Sequence, residues 1–256
     1  MTNLDTLLAD ATELARMAGD ATLAWFRQPD LVIDRKADDT EVTAGDRAAE
    51  RAIREALAER YPDDAILGEE EGEQAGRTGR RWIIDPIDGT TSFASGVPLF
   101  ATLVAVLDDG VPVVGVIHLP ALGETVAAAT GRGCFFNGRP CRVRDHDALA
   151  RSMVMTSGID TWSPERLAAL HGSGAKLRTW GDAYGYALVA TGRVAAMVDP
   201  VANLWDLAPM PVILGEAGGR FSDLSGGTDP ASGSGLGTSG GAYHDLLLDL
   251  LREAPR

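Results

Sequence analysis

Apolar residues at helical spacing open the chain. Leu4, Leu7, Leu8, Ala11, Leu14, Ala15 and Ala18 mark one face of a helix that runs to about residue 26, ahead of Pro29. Thr2 is placed to cap it, with Asp5 in its first turn. The polar run 32–43 reads as a loop or weak hairpin. Thr43 then caps a second helix over 44–60, with Ala49, Ile53, Ala56 and Leu57 turned inward. A short apolar strand at 65–68 feeds Glu69 and Glu70, and the polar, glycine-containing 71–80 reads as a mobile loop. Residues 82–84 form an apolar strand. Strands 100–107 and 111–118 pair through Asp108-Asp109-Gly110. Strand 125–129 and a 134–136/141–143 pair joined through Asn137-Gly138 continue an antiparallel set. Past the polar stretch 144–151 the pattern changes. Strands at 153–157, 176–180, 194–198 and 219–224 alternate with helices at 163–171, 182–191, 206–217 and 242–252. Pro211 strains the 206–217 helix, and 226–241, rich in Gly and Ser, reads as a long loop. The pattern predicts a single unit over 1–256 with two unlike halves, an antiparallel 1–145 and an α/β 151–256.

Composition narrows the function classes. The chain has 256 residues, 45% of them hydrophobic, enough for a sizeable core. Its formal net charge of −14 argues against nucleic acid or an anionic membrane as partner and makes the approach of an anionic substrate repulsive. No basic, apolar leader precedes the first helix, and no apolar run reaches the ~20 residues of a membrane span. Two cysteines, Cys134 and Cys141, read as a reduced pair rather than a disulfide framework, so a cytoplasmic protein is expected. The four histidines show no i,i+4 pair, which makes a zinc site improbable, and His118 reads as structural.

The candidate chemistry lies in WIIDPIDGTTSF, residues 82–93. Asp85 and Asp88 leave the end of an apolar strand around Pro86, which restricts the backbone on both sides and pre-aims the carboxylates. Asp oxygens are the ligands Mg²⁺ prefers, and that ion keeps positions open for phosphate and water. Gly89 permits close backbone approach, and the amides of Gly89, Thr90 and Thr91 face an anion if a helix starts there. Metal beside an amide cradle points to phosphoryl chemistry. An aspartyl-phosphate phosphatase needs D-x-D, but Pro86 stands two before Asp88; an EF-hand fails at Ile87 and Gly89. Glu69, following a buried strand, reads as a further metal ligand. A plain strand-to-turn element whose acids cap a helix is the bland alternative.

WIIDPIDGTTSF resembles the signature of the inositol monophosphatase family of Mg²⁺-dependent, lithium-sensitive phosphomonoesterases. Gly68-Glu69-Glu70, and Trp205-Asp206 followed by Glu216-Ala217-Gly218-Gly219, match further family motifs in order. The resemblance implies a layered α-β-α-β-α sandwich of the inositol monophosphatase/fructose bisphosphatase type. It implies two or three Mg²⁺ ions on Glu69, Asp85, the Ile87 carbonyl, Asp88 and Asp206. It places Lys36, otherwise a solvated charge, in a mobile loop near the phosphate. It also sets Asp46, otherwise a helix-capping acid, against Thr90 to orient the attacking water. Hydrolysis is then metal-assisted, without a covalent intermediate, and Asp46, Glu69 and Thr90 are its catalytic residues.

Within the family, Gly181-Asp182 with Tyr184 and Tyr186, and Asp199-Pro200, resemble the histidinol-phosphate phosphatase branch. A leaving group with an ammonium and an imidazole suits Asp182 and Asp199, with Asn203 adding a hydrogen bond. Asp182 equally fits as the cap of its own helix. The alternatives are an inositol-1-phosphate or other small-metabolite monophosphatase and, in another class, an inactive metal-binding regulatory protein. A bisphosphate substrate would want a basic cluster near the motifs, where only Arg178 and Arg193 come near. The resemblance also implies a homodimer.

Overall fold

A computed structural model describes residues 3–36 and 41–253. Helix α1 (Leu4–Thr22) is capped by Asn3, whose side chain accepts from the Asp5 amide; the expected Thr2 cap lies outside the described residues. The helix stops short of residue 26, and 23–27 continue as turns. Strands β1 (Ile33–Arg35) and β2 (Glu41–Thr43) form the hairpin of the 32–43 run. Helix α2 (Ala44–Arg60) starts at Thr43 in a capping box closed by Asp46.

Strands β3 (Ala65–Gly68) and β4 (Gly72–Gln74) pair, so the expected 71–80 loop begins as a hairpin arm. Strand β5 (Arg80–Asp88) is followed by α3 (Thr90–Ala94), then by β6 (Ala101–Asp108), β7 (Val111–Leu119) and β8 (Glu124–Ala129). Strands β9 (Gly133–Phe136) and β10 (Arg139–Cys141) follow. The expected return strand at 141–143 begins two residues earlier. Asn137 and Gly138, both at positive φ, close a two-residue turn, and Val143 leaves the strand to donate its amide to the Ala217 carbonyl.

The second half contains β11 (Met153–Met155), α4 (Pro164–Gly172), β12 (Lys176–Arg178), α5 (Asp182–Ala190) and β13 (Ala196–Asp199). The expected 206–217 helix is two helices, α6 (Leu204–Leu207) and α7 (Met210–Glu216). The break at Ala208-Pro209 sets both prolines at the start of α7, where a missing N–H costs nothing. Then come β14 (Arg220–Ser222), β15 (Gly235–Thr238) and α8 (Gly241–Glu253). Strand β15 lies within the expected 226–241 loop. Gly235 and Gly237 hide its strand pattern, and packing is the reason for them: a Cβ on Gly235 would stand 2.4 Å from the Tyr186 hydroxyl and 2.7 Å from Leu207.

Among the described residues the strands form an eight-stranded sheet, β10-β9-β8-β7-β6-β5-β3-β4, a five-stranded sheet, β12-β11-β13-β15-β14, and the β1-β2 pair. The large sheet is antiparallel except where β3 runs parallel to β5. In the small one β11 runs parallel to both neighbours. Side chains alternate across each strand, so the two faces of the large sheet pack on different helices. Trp82, Ile84, Val104 and Val116 meet Leu14, Ile53 and Leu57 of α1 and α2. Leu103, Ile117 and Val126 meet Tyr186, Ile213 and Leu214 of α5 and α7, whose other side reaches Met155 and Met197 of the small sheet. That sheet covers its far face with Leu170, Leu247 and Leu251 of α4 and α8. The layering is helices, sheet, helices, sheet, helices, as the resemblance implies. One apolar cluster joins residues from both halves of the chain.

Candidate functional site

In a regular strand Asp85 and Asp88, three residues apart, would face opposite sides of the sheet. They do not, because β5 carries a bulge. Asp85 pairs with Leu103 and Asp88 with Ala101, so β5 spends one residue more than β6 between these points. Pro86 has no amide to give the ladder, and its carbonyl accepts from the Thr102 hydroxyl at 2.8 Å. The bulge turns both carboxylates into one cleft of about 520 Å³, lined also by Glu69, Ile87, Gly89, Thr90, Thr91, Asp182, Asn203, Trp205 and Asp206. A larger, more apolar groove between α1 and strands β8 and β9, lined by Leu8, Met17 and Phe135, lies away from these acids.

Asp206 reaches the cleft from α6, where its Oδ2 accepts from the Asn203 amide at 2.7 Å. One oxygen each of Asp85, Asp88 and Asp206 lie within 4.8 Å of one another. Asp85 Oδ1 is buried without a hydrogen-bond partner. Burial pushes Asp85 well above the usual carboxylate range, and the charges of Glu69, Asp88 and Asp206 push it further. Burial does the same to Asp88, reinforced by Asp182 and Asp206. Asp206 is raised by burial to about 6. A buried, under-bonded cluster of acidic oxygens fits a hard divalent cation.

Glu69 borders this cluster, but its Oε1 accepts from Lys36 Nζ at 2.7 Å; the same ammonium holds Glu70 at 2.7 Å. Those bonds outweigh burial and raise the Lys36 pKa. Lys36 therefore sits on the glutamates beside the cluster. Residues 37–40, which the resemblance places near the phosphate with Lys36, lie outside the described residues.

No direct hydrogen bond joins Asp46 to Thr90, the pair expected to act together. Asp46 Oδ2 accepts from the Thr43 amide at 2.8 Å and hydroxyl at 2.6 Å, and the Thr90 hydroxyl donates to the Ile87 carbonyl at 2.9 Å. Capping claims the Asp46 carboxylate first. Its other oxygen is buried and unpartnered, and burial raises the group to about 6.

Gly89 caps α3 in the left-handed region, φ +80; Gly89, Thr90 and Thr91 line the cleft, and the first amides of the helix have no carbonyl one turn earlier to bond. A Cβ on Gly89 would lie 2.9 Å from Asp182 Oδ2, a second reason for glycine. Asp182 does not cap its helix. It is the first residue of α5 at φ +52, a conformation Asp tolerates better than most, and its amide donates to Ser157 Oγ. The cap comes from the other half of the chain: Asp88 Oδ2 accepts from the Ala183 amide at 2.6 Å.

Behind the cleft, a smaller cavity is lined by Asp88, Ser157, Asp182, Tyr186, Asp199, Ala202 and Asp206. Asp199 Oδ1 accepts from Ser157 Oγ at 2.6 Å, and burial raises this carboxylate to about 7. His118, between Asp20 and Thr125, is structural as expected.

Two residues that pattern reading passed over also serve the site. Ser157 ties Asp199 to the start of α5. Glu50, fully buried in α2, accepts from the Glu70 and Glu71 amides at 2.7 and 3.0 Å and from Arg54 at 2.8 Å, so it fixes the turn that carries Glu69. An acid one helical turn from Asp46 and one from Arg54 was the available signal.

A sequence profile described as the inositol monophosphatase family matches residues 3–256. A histidinol-phosphatase from Chlorobaculum parvum is 42% identical over 250 residues, covering 96% of each chain. One from Mycobacterium tuberculosis is 41% identical over 260 residues, covering 98% of this chain and 99% of its own. The solved structure of an inositol monophosphatase from Anabaena superposes with a TM-score of 0.85 at 30% identity, covering 99% of this chain and 98% of that one. Profile, relatives and layered architecture agree: this chain belongs to the inositol monophosphatase family.

Proposed function

We propose that the chain is a Mg²⁺-dependent phosphomonoesterase that hydrolyses L-histidinol phosphate to L-histidinol and phosphate, a step of histidine biosynthesis. The observation that carries the reading is the convergence of Asp85, Asp88 and Asp206 in one cleft, one Asp85 oxygen buried and unpartnered, beside the start of α3. Carboxylates this close remain ionised together only around a cation. Glu69, Asp85, the Ile87 carbonyl, Asp88 and Asp206 would hold two or three such ions, with Lys36 giving up Glu69. Bound there, Mg²⁺ supplies Lewis-acid polarisation of the phosphoryl group and offsets the negative charge of the chain.

The protein's own groups do the positioning. The amides of Gly89, Thr90 and Thr91 orient the phosphate oxygens. The Thr90 hydroxyl donates to Ile87 and keeps lone pairs for an attacking water, and the free Asp46 oxygen, raised to about 6, is an acceptor for its proton near neutral pH. Asp182, Asp199 and Asn203 hold the leaving group. Burial, reinforced by the charges of Asp182 and Asp206, keeps Asp199 near 7 despite its hydrogen bond from Ser157, so a nearby ammonium or imidazolium draws it down, and ionisation and substrate binding reinforce each other. Inositol hydroxyls bring no such charge. The two histidinol-phosphatase relatives support this choice of substrate.

Phosphate release from histidinol phosphate, inositol 1-phosphate and a sugar bisphosphate, assayed side by side in Mg²⁺, tests the reading. Histidinol phosphate should be preferred. A preference for inositol 1-phosphate overturns the substrate and leaves the chemistry; no release from any, with metal bound, overturns the hydrolase. The reading includes a cytoplasmic homodimer, checked by light scattering of the purified protein and by cell fractionation.

A further inference from the structure

We propose that Cys134 and Cys141 form a dithiol site that a peroxide oxidises to an intramolecular disulfide and a small dithiol reductant restores. The two residues face each other across the β9–β10 hairpin, in register as Cα partners, and their sulfurs stand 3.5 Å apart as free thiols. Directly opposed residues of an antiparallel pair have Cα atoms about 4.5–5.5 Å apart, within the span a disulfide bridges. The Asn137-Gly138 turn fixes that register, so the sulfurs need only side-chain rotation to meet.

The environment divides the labour. Cys134 is 2% exposed, buried in the apolar cluster that packs on this face of the sheet, with Ala128 of β8 as its direct neighbour across the strands. Cys141 is half-buried on β10, the edge strand of the large sheet, and is the sulfur an oxidant reaches. The contact with Cys134 lowers the Cys141 pKa, and the charge of Arg193, whose guanidinium stacks 4.8 Å from the Phe136 ring, lowers it too. Cys134 shifts the other way, mainly through the same contact. The attacking thiolate thus belongs to Cys141 and the resolving thiol to Cys134.

In the first step the Cys141 thiolate attacks one oxygen of the hydroperoxide. An S–O bond forms, the O–O bond breaks, and the departing alkoxide or hydroxide takes up the thiol's proton, leaving a sulfenic acid. In the second, Cys134 attacks that sulfur. The S–S bond forms, the S–O bond breaks, and hydroxide leaves with the Cys134 proton as water. The pair loses two electrons and two protons; the peroxide is reduced. The cysteines are seven positions apart, so the bond closes a short loop and constrains the unfolded chain less than a long-range disulfide would. Its consequence is chemical: it protects Cys141 from irreversible oxidation.

The test uses the folded, full-length protein and hydrogen peroxide, followed by intact-mass and thiol counting after denaturation. Both thiols should disappear together, the chain should lose the mass of two hydrogens without cross-linking to another chain, and dithiothreitol should restore it. In Cys134→Ser, Cys141 should stop at a sulfenic acid that dimedone traps; in Cys141→Ser, Cys134 should resist the same treatment. Loss of one thiol alone, cross-linked chains, or Cys134 reacting in Cys141→Ser as fast as in the parent protein overturns the proposal.

Discussion

If Asp85, Asp88 and Asp206 are held together for a cation, the metal-free fold bears a cost that removing one carboxylate should relieve. Asp206→Asn is the cleanest perturbation. The amide keeps an oxygen to accept from the Asn203 N–H, so α6 retains its start. Burial raises Asp206 from 3.8 in the unfolded chain to about 6. A raised folded value means the folded protein binds more protons than the unfolded one. The stabilising contribution is full below pH 3.8 and is lost as pH rises through 6. A shift of about 2 units corresponds to ~3 kcal/mol of destabilisation at pH 8, and screening at a side chain that is not fully buried leaves about 1–2 kcal/mol. For a chain of this size that is a rise in Tm of about 3–6 °C for the variant. The assay is a thermal melt in chelator across pH 4–8, repeated with Mg²⁺. The variant should melt above the parent at pH 8 and level with it at pH 4. Added Mg²⁺ should stabilise the parent and barely move the variant. A variant that melts below the parent in chelator at pH 8, or a difference independent of pH, refutes the reasoning.

Other consequences are as direct. Asp85→Asn should lower kcat/KM by about 10³ or more, losing charge where the transition state needs it, with an unchanged circular dichroism spectrum. Glu50→Ala breaks a buried ion pair and frees the Glu69 turn; it should cost ~3–5 kcal/mol in urea titrations and weaken Mg²⁺ binding by calorimetry. Asp199→Asn should reduce kcat/KM for histidinol phosphate about 10- to 100-fold, the worth of a charged hydrogen bond, while inositol 1-phosphate loses less in the same assay. Gly235→Ala forces a methyl against Tyr186 and Leu207 and should lower the urea midpoint by the equivalent of ~1–3 kcal/mol.

What could be read in advance follows the range of the forces involved. Helix α2 begins and ends as its pattern indicates, because Thr43, Asp46 and the apolar stripe are local signals. The acids around Pro86 were recognisable as candidate ligands because restricted backbone and residue type are local too. That they share a face was not, since the bulge exists only in the pairing of β5 with β6. Strand β15 was hidden because Tyr186, Leu207 and Leu214, distant in sequence, demand glycines there. The cap of α5 escaped for the same reason: Asp88 supplies it across 95 positions. The break between α6 and α7 was half visible, in that Pro211 already argued against one continuous helix.

The central claim is that acids from β5 and α6, with Glu69 beside them, cage divalent ions for phosphoryl transfer. Anomalous diffraction from crystals soaked in Mn²⁺ addresses it most directly. The account predicts ion density bounded by Asp85, Asp88 and Asp206, further density shared by Glu69, Asp85 and the Ile87 carbonyl, and Lys36 withdrawn from Glu69. Ions bound elsewhere on the chain, with Asp206 contacting none of them, would contradict it.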